Sequence, residues 1–441
     1  FLCLLSSHLW HAWADATNDS EIIQAQDTVP IYFGLVARRW LLHHHLVTEA
    51  QILANPSLRM HSHSGGKLRY PLKPLVFSKN QKKLNVLIIG IDDVRYDEVT
   101  KLGAPNIEQF SKRAITFNNH YSGGNCTQPG LFTLFYGIPA NYWAPTYAGG
   151  IPPVMLDSLQ KHGYRLGVFM SASLVQPPFY RNIFVTVPNL VMRTPGNGPV
   201  ERDRAITNST NEFISQAAKD KQPFFAFMFY DAVHDYSYPD NMALPFKPSD
   251  ANFSRGMLTA STDPTPIKNA HKNALYFVDG LIGKVLTKVK QLNLLNDTVI
   301  IITTDHGESF NDYHKNYWGH SSNFTAAQTH IPFIMYWPGK KPAQINYRST
   351  HFDVAPTLLQ NILGVKNPIR DYSIGKSLWE RGGRDVLLLG SYSDMAVVTP
   401  KRILTYYPGG AYHLTDKQLN PAVGIDPKAL AQAMHWMSLY Y

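Results

Sequence analysis

The chain has 441 residues, of which 44% are hydrophobic and 17% charged, and its formal net charge is +9. This length excludes a single small core and favours a large α/β domain with an appendage, because cores seldom grow beyond roughly 250–300 residues. The positive charge favours acidic partners such as phosphorylated substrates or an anionic membrane surface. Without a dense basic run interleaved with aromatic residues, the sequence predicts no nucleic-acid partner. The only two cysteines, Cys3 and Cys126, exclude a disulfide framework.

The N-terminal residues 1–13 form an apolar, aromatic stretch that is too short to span a bilayer. We interpret them as the end of a truncated membrane helix, with Trp10 and Trp13 at the water interface. A short buried segment of the following domain is the alternative. Residues 14–83 alternate short helical patterns with polar loops, including the stretch 61–66, and predict a linker or collar.

Five continuous apolar runs predict strands that are buried on both faces of a sheet. These runs cover residues 84–91, 164–171, 223–230, 298–303 and 331–337. Helix-length patterns lie between them, near residues 152–162, 200–220 and 267–292. This alternation predicts an α/β domain over 84–382, with a mostly parallel sheet sandwiched between helices. Short β-patterns and a last helical pattern predict a small C-terminal antiparallel subdomain over 383–441.

Two of the predicted strands end in acidic residues, at the position where ligands collect in open α/β sheets. Asp92 and Asp93 follow the first strand, and Asp305 and His306 follow the fourth. Carboxylate oxygens and imidazole nitrogens are ligands of divalent cations, so the four residues predict a metal site. An Asp after one strand can also cap the next helix, which is the alternative for either motif alone.

Between these motifs lies a glycine-rich loop, residues 122–130, that leads into an apolar helical pattern. Glycines allow the backbone to approach an anion, and the free amides of the following helix favour negative charge. The hydroxyl of Thr127 in this loop is a candidate nucleophile, which needs a cation or a base for activation. A turn capped by Thr127 is the structural alternative.

In this order, the motifs resemble the alkaline phosphatase superfamily, which includes the sulfatases. The resemblance covers about residues 84–415, with further matching segments at 104–107, 331–334 and 351–359. It implies an alkaline phosphatase-like fold and one divalent ion, which could be Mg, Mn, Zn or Ca.

Carried over residue by residue, the resemblance implies that Asp92, Asp305 and His306 are metal ligands and that Thr127 is the nucleophile at the ion. Asp93 matches the second acid that sulfatases keep at the metal.

The same resemblance implies that His234 binds the substrate and that His320 lies near the leaving group. A second ion at Asp231, His234 and His320 is a further alternative that the sequence leaves open.

A closer resemblance is to the PbgA/YejM group of inner-membrane sulfatase-like proteins of Gram-negative bacteria. It is carried by residues 13–16, 37–39, 122–125 and 134–137. It implies a bacterial inner-membrane protein, attached through further N-terminal helices, whose domain faces the periplasm. The implied role is linked to lipopolysaccharide or cardiolipin, with an anionic lipid or phosphorylated envelope substrate and envelope regulatory proteins as partners.

The sequence departs from the sulfatases at the nucleophile. Their Cys-x-Pro-x-Arg signature is out of register when read from Cys126, and read from Thr127 it has Leu131 in place of Arg. We therefore expect a metal-dependent phosphoesterase or phosphotransferase that uses Thr127 on lipid headgroups. A sulfatase that uses Cys126 and a non-catalytic envelope lipid sensor are the two alternatives.

Overall fold

The computed structural model describes residues 2–17, 35, 37, 40–41, 44–48, 68–79 and 83–441. Most of the predicted linker, including the stretch 61–66, lies outside these residues. The N-terminal apolar stretch forms helix α1 (Leu2–Thr17), which continues past the predicted end at residue 13. Of the helices in the described part of the chain, none combines the length and apolar character that a membrane crossing requires.

From residue 83 onwards, helices and strands alternate. The helices are α2 (Pro105–Ser111), α3 (Thr127–Tyr136), α4 (Trp143–Gly149), α5 (Val154–Lys161), α6 (Pro199–Lys219), α7 (Thr265–Gln291), α8 (Ala326–Thr329), α9 (Val354–Ile362) and α10 (Pro427–Ser438). The strands are β1 (Asn85–Ile91), β2 (Ile115–Phe117), β3 (His120–Tyr121), β4 (Arg165–Met170), β5 (Phe224–Tyr230), β6 (Thr298–Thr304), β7 (Ser309–Phe310), β8 (Trp318–Gly319), β9 (Phe333–Tyr336), β10 (Ala343–Ile345), β11 (Ser349–Thr350), β12 (Leu387–Gly390), β13 (Met395–Val398), β14 (Ile403–Tyr406) and β15 (Tyr412–Thr415).

The central sheet has seven strands in the order β10-β2-β9-β6-β1-β5-β4. Strands β6, β1, β5 and β4 are parallel neighbours, whereas β9 is antiparallel to both β6 and β2. The predicted mostly parallel sheet is thereby confirmed. Because β1 and β6 are adjacent and parallel, the residues that follow them emerge side by side at one edge of the sheet.

The sheet separates two apolar cores, because successive side chains of a strand point to opposite faces. In β1, Val86 and Ile88 pack in one core with helices α3, α5 and α9. Leu87, Ile89 and Ile91 pack in the other core with α2, α6 and α7. Every residue of β1, β5 and β6 is buried, as expected of strands covered by helices on both faces.

The C-terminal segment forms the predicted antiparallel sheet, with strand order β12-β13-β14-β15. Helix α10 covers one face through Ala429 and Ala433. On the side of the main domain, the Gly390 amide donates to the Gly123 carbonyl (2.9 Å), and the Asn125 amide donates to the Gly390 carbonyl (3.1 Å). This small sheet therefore holds the glycine-rich loop that precedes α3.

Candidate metal centre

The two acidic strand ends meet at the edge of the central sheet. Ile91 and Thr304 are register partners in β1 and β6, so Asp92 and Asp305 follow at the same level. Asp92 is 3% exposed as a residue, and Asp305 is fully buried. The predicted closeness of these two residues is therefore a consequence of strand pairing.

His306 completes a compact group with these carboxylates. Its Nε2 lies 3.5 Å from Asp92 Oδ1 and 3.4 Å from Asp305 Oδ2. Ligands of one tetrahedral ion with bonds of about 2.1 Å lie roughly 3.4 Å apart. Both carboxylate oxygens are buried without a hydrogen-bond partner, a costly state for a free carboxylate. The donor set and these orphaned oxygens fit a divalent cation.

Hydrogen bonds to the other carboxylate oxygen of Asp305 set the orientation of this side chain. Asp305 Oδ1 accepts hydrogen bonds from the backbone amides of Asp93 (3.3 Å) and His306 (3.0 Å). The Thr304 hydroxyl accepts from the amide of Val94 (3.1 Å) and ties the two strand ends together. Asp305 therefore has one oxygen bound to the backbone and one that faces the group.

Thr127 lies beside the same imidazole nitrogen, at the first residue of α3. Its Oγ1 is 3.3 Å from His306 Nε2. The first α-helical hydrogen bond runs from the Gly130 amide to the Cys126 carbonyl, so the amides of Thr127 and Gln128 precede the ladder. A helix N-terminus of this kind favours an anion next to the hydroxyl.

The helix that carries Thr127 packs directly against the metal group. A Cβ atom at Gly130 would lie 2.4 Å from the Asp305 carbonyl oxygen, so only glycine allows this approach. The Ser122 hydroxyl donates to the same carbonyl. These contacts set the position of Thr127 relative to Asp305.

Cys126, the nucleophile of the sulfatase alternative, has a different environment from its neighbour. The side chain is fully buried, and burial raises the pKa of the thiol well above its usual range. Because the thiolate is the reactive form, this environment makes Cys126 a poor nucleophile.

Asp93 lies on the other side of the His306 ring. Its backbone has φ +70°, and its Oδ1 is 3.1 Å from His306 Nδ1. Asp93 forms a second group of potential ligands with His306 and His320, and its role as a ligand of the first ion stays a prediction. A carboxylate at Nδ1 orients a metal-binding imidazole and leaves Nε2 free for the ion.

His320 is part of a charged network with Asp93 and Glu308. Its Nδ1 lies 3.6 Å from Asp93 Oδ2 and 3.3 Å from Glu308 Oε2. Strand β8 pairs with β7, with Gly319 opposite Ser309, and this hairpin brings His320 next to Glu308. Burial lowers the pKa of His320, but the two carboxylates outweigh it and raise the pKa to about 10. At neutral pH the ring is an imidazolium.

The acids of the site differ in their proton affinity. Burial, together with the charges of Asp305 and Asp231, raises the pKa of Asp92 well above its usual range. Burial acts in the same direction on Asp93, but the Glu308 carboxyl and the His320 charge prevail and hold its pKa well below that range. A bound cation favours the charged form of a neighbouring carboxylate.

His234 lies near the group without belonging to either candidate set of metal ligands. Its ring centroid is 5.2 Å from that of His320, and its Nδ1 is 3.6 Å from Asp235 Oδ1. Asp231 forms a 2.7 Å ion pair with Arg202. In the described part of the chain, the second group of potential ligands therefore contains neither Asp231 nor His234.

Several residues of the site were not assigned from the sequence. Glu308 is fully buried and accepts a 2.7 Å hydrogen bond from the Tyr236 hydroxyl. Arg255 lies 3.9 Å from the same carboxylate. Glu308 could have been found, because it stands in the run that follows β6. Arg255 and Tyr236 belong to a long connection without periodicity, which carries no such signal.

Comparison with known protein families gives two matches. The sulfatase family model matches residues 84–365, more than half of the chain. A second model, described as a domain of unknown function (DUF3413), matches residues 1–77. The chain is 24% identical over 417 residues to the inner membrane protein YejM of Salmonella typhimurium, covering 94% of the chain and 65% of YejM. It spans less than two thirds of the length of the curated relatives it matches, at 62% and 65%.

Solved structures confirm the predicted fold. A protein of the alkaline phosphatase superfamily from Vibrio parahaemolyticus superposes with a TM-score of 0.60 at 18% identity, covering 84% of this chain and 92% of that chain. The phosphonate monoester hydrolase of Agrobacterium radiobacter gives a TM-score of 0.57 at 16% identity, covering 80% and 94%.

Proposed function

The chain belongs to the sulfatase family, and on this premise we propose that it is a metal-dependent phosphoesterase or phosphotransferase with Thr127 as the nucleophile. The observation that carries the proposal is the position of Thr127 Oγ1, 3.3 Å from an imidazole nitrogen that also faces two orphaned carboxylate oxygens. A hydroxyl, two acids and a histidine thus converge at one helix N-terminus.

Asp92, Asp305 and His306 would hold the cation, with the Thr127 hydroxyl beside it. A divalent ion in such a site lowers the pKa of a neighbouring hydroxyl and polarises an ester oxygen. Asp93 holds the His306 ring from the Nδ1 side. The amides of Thr127 and Gln128 are placed to bind the ester's non-bridging oxygens.

In the proposed reaction, Thr127 loses its hydroxyl proton to solvent water, and its Oγ then bonds to phosphorus while the bond from phosphorus to the ester oxygen breaks. His320 is protonated at neutral pH and donates a proton to the departing oxygen. Water or another headgroup hydroxyl then attacks the phosphothreonine at phosphorus, the bond between Thr127 Oγ and phosphorus breaks, and the proton of the attacking hydroxyl passes to the now neutral His320. Attack by water makes the protein a hydrolase, and attack by a headgroup hydroxyl makes it a transferase.

Phosphoryl chemistry is favoured over sulfuryl chemistry by the environment of Cys126. The thiol is fully buried and its pKa is raised. In sulfatases the Cys-x-Pro-x-Arg signature marks its first residue for conversion to an aldehyde, and read from Thr127 this chain has Leu131 in place of the arginine. Thr127 is half-buried and faces the metal group.

We place the protein at the bacterial inner membrane with this domain in the periplasm, acting on anionic lipid headgroups. Support comes from the relation to YejM and from the net charge of +9. Trp10 and Trp13 in α1 are 63% and 43% exposed, as expected of side chains at a membrane interface. Envelope regulatory proteins are further proposed partners.

The decisive test measures turnover and modification together. Metal-loaded protein is expected to hydrolyse para-nitrophenyl phosphate or its diester, and to leave para-nitrophenyl sulfate unchanged. Rapid acid quench followed by peptide mass spectrometry should locate a phosphoryl group on Thr127, with Cys126 as an ordinary thiol. Turnover of the sulfate ester with an aldehyde at residue 126 would instead establish the sulfatase alternative. Absence of any turnover in metal-loaded protein would favour the lipid sensor.

His320→Gln should lower kcat on the phosphate ester by roughly 100- to 10,000-fold, because glutamine cannot donate the proton. The ion held by Asp92, Asp305 and His306 should stay bound, since His320 lies outside that group and belongs to the second one, with Asp93 and His306. His162→Gln is the matched control, because this histidine lies at the end of α5, where its Nδ1 contacts the carbonyl of Ser158 and its ring packs on Phe77, and it belongs to neither group of potential metal ligands in the described chain. Equal kcat values for the two variants would assign His320 a structural role.

A further inference from the structure

We infer that Arg255 forms an anion-binding subsite on the leaving-group side of the centre, where it recognises a second negative charge on the substrate. This inference rests on the proposed function and adds a substrate class to it: esters whose leaving group carries a carboxylate or phosphate.

Arg255 is held in place by aromatic rings. It lies on the connection between β5, which ends at Tyr230, and α7, which begins at Thr265. The guanidinium carbon is 5.8 Å from the Tyr236 ring centroid and 6.0 Å from that of Phe253. Rings at this distance attract the cation without occupying its N–H donors. Connections of this length in compact domains commonly carry function.

The guanidinium remains available to a ligand. Its side chain is 51% exposed, and the only ion pair it forms among the described residues is with Glu308 at 3.9 Å, the outer limit for such a contact. Within the same residues, no acceptor receives a normal hydrogen bond from it, although guanidinium has five N–H donors. Glu308 Oε1 already accepts from Tyr236 at 2.7 Å. A planar fork with free donors matches a carboxylate or phosphate.

The position of Arg255 next to His320 indicates which part of a bound substrate its guanidinium contacts. A Cβ atom on Gly319 would lie 2.8 Å from Arg255 Nη1, so the guanidinium sits against the residue that precedes His320. Gly319 has φ +80°, a conformation that favours glycine and leaves this space open. His320 faces the departing oxygen in the proposed reaction. Arg255 is therefore the cation next to the leaving group.

The test compares matched ligands that lack or carry the second charge. Phenylphosphonate, its meta- and para-carboxy derivatives and benzene-1,4-diphosphonate are titrated into metal-loaded protein by calorimetry. Phosphonates carry a P–C bond in place of the ester and report binding alone. The wild type should bind the best of the ligands with a second anionic group about tenfold more tightly than phenylphosphonate, as expected for one charge-assisted contact.

In Arg255→Gln this ratio should fall to about one, with the affinity for phenylphosphonate unchanged. Arg255→Lys should retain part of the preference for the second anionic group, because lysine keeps the positive charge but lacks the paired N–H donors of a guanidinium. Arg204→Gln is the matched control: its guanidinium also stacks on a ring, that of Phe277 at 5.6 Å, on the surface of α6. The control should keep the wild-type ratio.

Two results would overturn the inference: an equal loss of affinity for all ligands in Arg255→Gln, or a wild type without preference for the second charge. A parallel assay with phenyl and carboxyphenyl phosphates separates this from the proposed function. If the wild type turns over neither ester, the proposed function fails, and the binding ratios still decide the role of Arg255.

Discussion

Thr127→Ala is expected to reduce turnover of a phosphate ester by several orders of magnitude, the loss typical of a removed nucleophile. Alanine removes the hydroxyl that lies 3.3 Å from His306 Nε2. The fold should persist, because Thr127 is half-buried and alanine is accepted at the first residue of a helix. Initial rates and thermal denaturation of the metal-loaded variant give both measurements.

The neighbouring positions supply the controls. Thr127→Ser keeps a hydroxyl and should retain measurable turnover. Cys126→Ala should lower turnover only slightly, since the thiol is buried and its pKa is raised. An active Thr127→Ala protein together with an inactive Cys126→Ala protein would reverse the assignment and support the sulfatase alternative.

Asp305→Asn should release the metal ion, with a loss of affinity greater than the roughly 10- to 100-fold that removal of an outer-shell partner costs. Asparagine keeps the shape and can still accept from the amides of Asp93 and His306. It places a neutral amide where an anionic oxygen faces His306 at 3.4 Å. Metal content after dialysis, measured by plasma mass spectrometry, should fall well below one ion per chain.

Asp203→Asn is the matched control for the charge change. Asp203 is also fully buried and accepts backbone amides, those of Asp231 (3.0 Å) and Ala232 (3.1 Å). It belongs to neither group of potential ligands in the described chain. This variant should keep its metal. Equal metal content in Asp305→Asn and the wild type would remove Asp305 from the ligand set.

Both site predictions depend on contacts between distant parts of the chain. Asp92 and Asp305 are more than 200 residues apart, and their closeness required only that β1 and β6 be neighbours. The sequence indicated that these two strands are adjacent only indirectly, because both are buried and both are followed by acidic residues. The direction of each carboxylate was not encoded in that pattern. Asp93 turns to the opposite side of His306 because its backbone adopts φ +70°.

The sequence by itself determined the long buried strands β1, β4, β5, β6 and β9 and the helices α5, α6 and α7, because apolar periodicity reports burial on one or both faces. It also pointed to the carboxylate and imidazole donors of the candidate metal centre. The short strands β2 and β10, which complete the central sheet, were not predicted. Only the tertiary structure decided how Gly390 of the C-terminal sheet holds the loop before Thr127, and how Glu308 comes to join Tyr236 with His320. Such contacts depend on packing between elements far apart in sequence. Arg255 is the clearest case, since its position depends on the rings of Tyr236 and Phe253, and no local sequence pattern predicts it.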